Sequence, residues 1–285
     1  MWAVVPFYAL NITYLAVVCK VNDTYLHPFF IVSYCAIYVV PYLRYNEIMR
    51  KKEIWLILVI LLMTVVVGCT KTKEKSPVKV AIIDTGISTK AIPSEAILEG
   101  KNYVNPELDT EDTYGHGTAV ASIILENAPE VKLVPLVSNM YENGKIIQVD
   151  NDTLAQMIRD AIDVYDCQII NLSAGLASDI ESVCQAVEYA KEKQVLIVAS
   201  AGNDYAESGE VKHYPAAYKS VIAVGSLKED GTTISDFSQR GDWVNIYEIG
   251  ENMTIKTLSG NTKTGDGTSY SAAKVTAEKA KELKK

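Results

Sequence analysis

Histidine is scarce, with three in 285 residues, so any imidazole chemistry falls on His27, His116 or His213. No Cys-x-x-C pair occurs among the five cysteines, Cys19, Cys35, Cys69, Cys167 and Cys184. A zinc or dithiol redox centre is therefore not indicated. Three of these cysteines lie in or beside apolar N-terminal segments. Cys167 and Cys184 read as free buried thiols, with a single disulfide as the alternative. There is no basic stripe interleaved with aromatics, no internal repeat and no low-complexity tract. No loop of clustered carboxylates offers a metal site, and neither a metal nor a cofactor is expected.

The hydrophobic share of 48% is ample for a core, and the net charge of -8 conceals a split. Residues 1–75 hold 8 Lys+Arg against 4 Asp+Glu, and residues 76–285 hold 19 against 31. Phosphate and carboxylate repel, so the acidic part excludes nucleic acid as a partner.

Three apolar runs come first, at about 2–19, 29–43 and 54–68. A helical bilayer span needs roughly 20 residues, close to the length of the first run only. The third comes after Arg50, Lys51 and Lys52 and closes on Val66-Val67-Gly68-Cys69. A basic head, a short apolar centre and a small-residue end describe an export signal. The ending resembles the bacterial lipobox, which implies lipid attachment at Cys69. In one reading Met49 starts the protein and 1–48 is an upstream extension. In another the runs are three membrane spans, with 1–48 holding a transmembrane hairpin. A buried soluble helix is a third. Arg44, Arg50, Lys51 and Lys52 make the 44–53 loop the richer in positive charge, so that loop should stay cytoplasmic. Both main readings place the chain beyond Cys69 outside the cell membrane. Residues 49–69 are then signal or span, 70–77 a polar tether, and 78–285 the folded domain.

From Val78 onward, apolar strands alternate with helices. Strands are expected at Val78–Ile83, Val131–Val137, Gln168–Leu172, Val195–Ala199 and Val221–Val224. Helices are expected at Gly117–Glu126, Thr153–Tyr165, Ile180–Lys193 and 270–284. Such alternation predicts an α/β fold: right-handed crossovers and a mainly parallel central sheet flanked by helices, in three layers. Sites in such sheets form beyond the carboxyl ends of the strands. Asp84, Asn171–Gly175 and Asn203 fall at such ends.

Each polar residue has two readings. Ser269 starts a helix, either as an N-cap or as a nucleophile needing a nearby base. His116, between two glycines, is either a structural histidine or that base. His213, in Lys212-His213-Tyr214-Pro215, reads as a surface histidine. Asp84 ends an apolar strand, either as a turn residue or as the carboxylate that orients an imidazole. Asp-Thr-Gly also occurs in aspartic proteases, but these need two such carboxylates and the chain has one Asp-Thr-Gly. Asn203 is either a loop residue or an amide donor to a developing oxyanion.

Taken together the words form one pattern. Asp84-Thr85-Gly86-Ile87, Gly115-His116-Gly117-Thr118 followed by Val120-Ala121, Ala201-Gly202-Asn203 and Gly267-Thr268-Ser269 occur in order, their key side chains 32, 87 and 66 positions apart. Asp-His-Ser is the chain order of subtilisin, and the blocks resemble those of the subtilisin-like serine proteases over about 78–280. Asn171-Leu172-Ser173-Ala174-Gly175, Tyr214-Pro215-Ala216 and Asp236-Phe237-Ser238 are further similarities.

The resemblance implies a serine endopeptidase acting on a peptide or protein through an acyl-enzyme. Ser269 would be the nucleophile, His116 the base, Asp84 its orienting carboxylate and Asn203 the oxyanion donor. Ser173, Ala174 and Gly175 would flank an extended substrate, with Ser200 and Gly202 near the pocket for the residue before the cut. With a membrane tether, limited processing of a peptide is expected rather than bulk digestion. A degenerate relative that only binds peptide at the surface is the alternative. The chain departs from the family at Ala273, where proline is usual, and at Lys274, where histidine is frequent. Only about nine residues separate Cys69 from the first strand, so no inhibitory propeptide is expected there, and the last helix is expected to be short.

Overall fold

The computed structural model describes the backbone of residues 3–9 and 12–18, and residues 76–284 apart from Ala174. The chain divides into two compact units, Met1–Glu74 and Lys75–Lys285. In the first, β1 (Ala3–Ala9) pairs antiparallel with β2 (Ile12–Val18), Ala3 opposite Val18 and Ala9 opposite Ile12. The apolar run at about 2–19, one of the candidate membrane segments, takes strand form over these residues. The stretch is dense in valine, isoleucine, threonine and tyrosine, which favour a pleated strand. The apolar runs 29–43 and 54–68, with Cys69 and most of the tether, lie outside the described residues. Among the described residues no helix is long and apolar enough to cross a membrane.

The second unit opens with β3 (Lys79–Asp84), β4 (Lys101–Asn102), α1 (His116–Asn127) and β5 (Lys132–Val137). A hairpin of β6 (Asn139–Glu142) and β7 (Lys145–Gln148) precedes α2 (Asn151–Asp163). Next come β8 (Ile169–Leu172), α3 (Glu181–Glu192), β9 (Leu196–Ser200), the short α4 (Tyr205–Ser208), β10 (Ile222–Leu227) and β11 (Ile246–Ile249). A second hairpin, β12 (Met253–Lys256) and β13 (Thr262–Gly265), leads into α5 (Thr268–Lys284). The main sheet has seven strands, ordered β11-β10-β9-β8-β3-β5-β4. All neighbouring pairs in it are parallel. The α/β expectation therefore holds.

Period-two alternation along β3 divides the core. Ala81 and Ile83 join Leu154, Met157 and Ile158 of α2 and Val183 and Val187 of α3 on one face. Val80 and Ile82 join Val120, Ile123 and Ile124 of α1 and Ala272, Ala273 and Val275 of α5 on the other. With helices on both faces, the strands read as continuous apolar runs rather than alternating ones. Cutting a fully buried side chain such as Ile123 or Ile158 to alanine would cost about 2–5 kcal/mol. The Asp150 side chain caps α2 by accepting from Thr153 N at 2.7 Å. Cys167 is buried and Cys184 half-buried, and both are free thiols.

From β3 the chain goes first to the edge strand β4, comes back to insert β5 between β4 and β3, then lays β8 against the other side of β3. The direction of winding reverses between β3 and β8, and ligands of open α/β sheets bind beyond the strand ends at such a point. In-register pairing puts Ile83 beside Leu172 and Leu172 beside Ala199. Asp84, Ser173 and Ser200 therefore emerge at one edge.

Candidate active site

Asp84 leaves the end of β3 with its carboxylate shielded, the side chain 4% exposed. His116 Nδ1–H donates to both its oxygens, at 2.7 Å to Oδ1 and 2.9 Å to Oδ2. Thr85 N–H also donates to Oδ1, at 2.8 Å. A proton held on Nδ1 leaves the Nε2 lone pair free, the tautomer a general base requires. The Asp84 charge raises the His116 pKa above the ordinary imidazole value. Burial opposes this, and the hydrogen bond and the charge of Asp112 add to it.

His116 is the first residue of α1, preceded by Gly115 in left-handed backbone. The buried carboxylate of Asp112 builds that start. Its Oδ1 accepts from Tyr114 N and Gly115 N at 2.8 and 2.7 Å. Its Oδ2 accepts from Thr118 N and Thr118 Oγ1 at 2.9 and 2.7 Å. It satisfies helix N–H groups that would otherwise be orphaned, and so aims His116. Gly117 lies under the turn, where a methyl group would collide with Gly86 O and come within 3.2 Å of Asp84 Cβ. Sequence reasoning passed over Asp112. Its position ahead of Gly115-His116-Gly117 was the available signal.

Ser269 is the second residue of α5 and is 6% exposed. It is not the N-cap, because the helix already begins at Thr268. Thr268 locks the neighbouring donor in place. Asn203 Oδ1 accepts from Thr268 N at 2.9 Å and from Thr268 Oγ1 at 2.8 Å. With the oxygen so engaged, the amide nitrogen is free to donate. A methyl group at Gly267 would lie 3.6 Å from Asn203 Nδ2 and 3.9 Å from Ser269 N, so both donors border one space. The Tyr270 ring stacks beside His116, with centroids 6.2 Å apart. The starts of α1 and α5 thus meet. Among the described residues no hydrogen bond joins Ser269 Oγ to His116. Such contacts are often long in a free enzyme and tighten with substrate.

The expected substrate walls extend from β8 and β9. Ser173 Oγ donates to Asn171 Oδ1 at 3.2 Å, and Ala174 lies outside the described residues. Ser200 ends β9 and is buried. Gly202 donates its N–H to Thr268 Oγ1 at 3.3 Å. Gly175 and Gly202 both abut His213. This corrects the reading of His213 as a surface residue. Its side chain is 18% exposed and its Nε2 bonds Asp204 Oδ1 at 2.9 Å. The Tyr214 backbone pairs with Leu176 and draws the segment inward. Among the described residues no group of three or more His, Cys, Asp or Glu side chains forms a metal site. A separate groove of about 470 Å³, lined by Ile92, Leu125, Pro129 and Ile255 among others, contains none of the site residues.

A parallel α/β sheet that brings a carboxylate-held imidazole, a serine at a helix start and an amide donor to one edge has the arrangement of serine hydrolases of Asp-His-Ser order. More narrowly, the chain belongs to the subtilase family of serine proteases, whose sequence pattern matches residues 75–284. It is 36% identical over 201 residues to the minor extracellular protease Epr of Bacillus subtilis, covering 67% of this chain and 30% of that protein. It is 35% identical over 221 residues to the major intracellular serine protease of the same organism, covering 70% of this chain and 66% of that protein. Among solved structures, the S41 psychrophilic protease matches with a TM-score of 0.63 at 27% identity, over 73% of this chain and 77% of that one. The chain thus spans between 30% and 66% of the length of these two curated relatives.

Proposed function

We propose that the protein is a serine endopeptidase with Ser269 as nucleophile, His116 as general base and acid, Asp84 as its orienting carboxylate and Asn203 as oxyanion donor. The observation that carries the reading is the two-oxygen contact of Asp84 with His116 Nδ1. That contact dictates which imidazole nitrogen can take a proton.

Ser269 Oγ attacks the peptide carbonyl carbon while its proton passes to His116 Nε2. The charge that develops on the carbonyl oxygen is met by Asn203 Nδ2–H and Ser269 N–H. His116 gives the proton to the amine as the C–N bond breaks, leaving an ester on Ser269. Water, deprotonated by His116, then attacks the ester carbon, and as the acyl–Oγ bond breaks His116 returns the proton to Ser269 Oγ and the acid is freed. Asp84 stays ionised throughout and stabilises the imidazolium. The substrate lies extended beside Ser173–Gly175, held by main-chain hydrogen bonds in the manner of strand addition. Ser200 and Gly202 border the pocket for the residue before the cut.

The cell membrane is the proposed location, with the catalytic domain outside the cell and anchored through residues 49–69. Relatives of this domain carry both extracellular and intracellular names, so the placement rests on the basic head, the apolar run and Cys69. A tethered enzyme meets only substrates that reach the membrane, which favours limited processing of a peptide or protein.

Full-length protein should be labelled by a fluorophosphonate and should cleave a mixed peptide library, and Ser269→Ala should lose both activities. Peptide binding without labelling would instead assign a degenerate, non-catalytic relative. For the anchor, incorporation of labelled palmitate should disappear in Cys69→Ala. Full incorporation in that variant would end the lipoprotein reading.

A further inference from the structure

The two proposed pocket walls, after β8 and after β9, close on the same side chain. A methyl group at Gly175 would lie 3.4 Å from His213 Cβ and 3.6 Å from its Nδ1. One at Gly202 would lie 2.5 Å from His213 Cδ2 and 3.0 Å from Nε2. The imidazole therefore packs against bare backbone on both walls. Gly202 touches His213 on one side and, through its N–H, Thr268 beside Ser269 on the other.

The ring is also held still. His213 Nε2 bonds Asp204 Oδ1 at 2.9 Å, and the same oxygen accepts from Gln239 Nε2 at 3.0 Å. Gln239 is fully buried. It is fixed in turn by donating to Gly209 O at 2.9 Å and accepting from Val211 N at 3.0 Å. On the backbone, Tyr214 N donates to Leu176 O at 3.0 Å and Leu176 N to Tyr214 O at 2.7 Å. Burial works against the Asp204 charge, but the hydrogen bonds from Gln239 and His213 outweigh it and hold the carboxyl below its usual range. The floor is thus a rigid ring backed by an ionised carboxylate.

We propose that His213, anchored by Asp204 and Gln239, closes the floor of the pocket for the residue preceding the scissile bond and restricts that residue to small side chains. The inference rests on the protease reading above and names its substrate class. A long or aromatic side chain entering between the walls meets the ring. It must either displace an anchored group or strip water from Asp204, and both are costly. Alanine, serine and glycine stop short of it.

The test is the full-length protein with a peptide library varied at the residue before the cut. Wild type should favour alanine and serine over phenylalanine and leucine by at least about tenfold in kcat/KM, the lower end of what one misfitted methylene costs. His213→Gly should erase or reverse that preference. His213→Phe fills the floor without the bond to Asp204 and should retain it. Fluorophosphonate labelling of Ser269 in each variant normalises rates to folded sites. Wild-type preference for phenylalanine, leucine or glutamate, or an unchanged profile in His213→Gly, overturns the inference. So does a His213→Phe profile that matches His213→Gly. A wild type that is neither labelled nor active removes the protease reading and this inference with it, so the two failures are distinct.

Discussion

His116 and His213 are close physical counterparts. Each imidazole bonds a carboxylate, at 2.7 Å and 2.9 Å, and each side chain is largely shielded, 27% and 18% exposed. The difference lies in which nitrogen is engaged and what the ring faces. His116 bonds through Nδ1 at the start of α1, and its ring lies beside Tyr270, next to Ser269. His213 bonds through Nε2 from a loop and abuts two glycines, Gly175 and Gly202. A histidine–carboxylate pair is therefore not by itself a catalytic signature. The tautomer and the group opposite the free nitrogen decide the role.

The largest expected effect separates the pairs directly. His116→Ala and Ser269→Ala should each lower kcat by about a million-fold, a magnitude taken from subtilisin, a member of the same family, rather than derived from this chain. His213→Ala should keep most of the rate on a small-residue peptide. Comparable losses in steady-state assays of His116→Ala and His213→Ala would break the distinction. Asp84→Asn should cost about 10⁴-fold through the wrong tautomer.

The pH profile sharpens the same contrast. Because Asp84 raises the His116 pKa, the neutral base forms only above the ordinary imidazole value of about 6.5. The acid limb of kcat/KM should lie above that pH. Stability runs the other way. The charged His116–Asp84 contact contributes fully below about pH 6.5 and is lost as pH rises through the raised value. Thermal unfolding measured alongside activity should show opposite slopes in that window. An acid limb below the ordinary value would contradict the coupling.

Next in size, Asn203→Ala should lower kcat by about 10²–10³-fold with KM little changed, again a subtilisin-derived magnitude. The smallest effect concerns the support of His116. Asp112→Asn keeps the shape but weakens the cap, and should cost about 1–2 kcal/mol in denaturant unfolding. It should also shift the acid limb downward, because a nearby negative charge is lost. A stability loss with an unmoved pH profile would confine Asp112 to the cap.

Much of the fold was readable. Strands buried on both faces announce themselves as apolar runs, and α2 and α3 show a 3.6-residue period. Asp84, His116, Asn203 and Ser269 stood out because each sits beside small residues at an element boundary. The β6–β7 hairpin was overlooked although Asn143-Gly144, both with positive φ, is a strong two-residue turn signal. The β12–β13 hairpin carries no comparable two-residue turn signal: residues 257–261 join its strands, and β13 (Thr262–Gly265) has no apolar side chain to alternate.

The one-dimensional pattern determined the α/β layering and the four side chains proposed for the chemistry. Periodicity and turn residues are local properties, and local sequence encodes them. What His213 does was decided only in three dimensions. Its neighbours Gly175, Gly202, Asp204 and Gln239 come from separate segments, and parallel strand pairing of β8 with β9 sets the walls between which the ring lies. The roles of Asp112 and Thr268 emerged the same way, because a hydrogen-bond partner is defined by where the chain returns and not by how far along it lies.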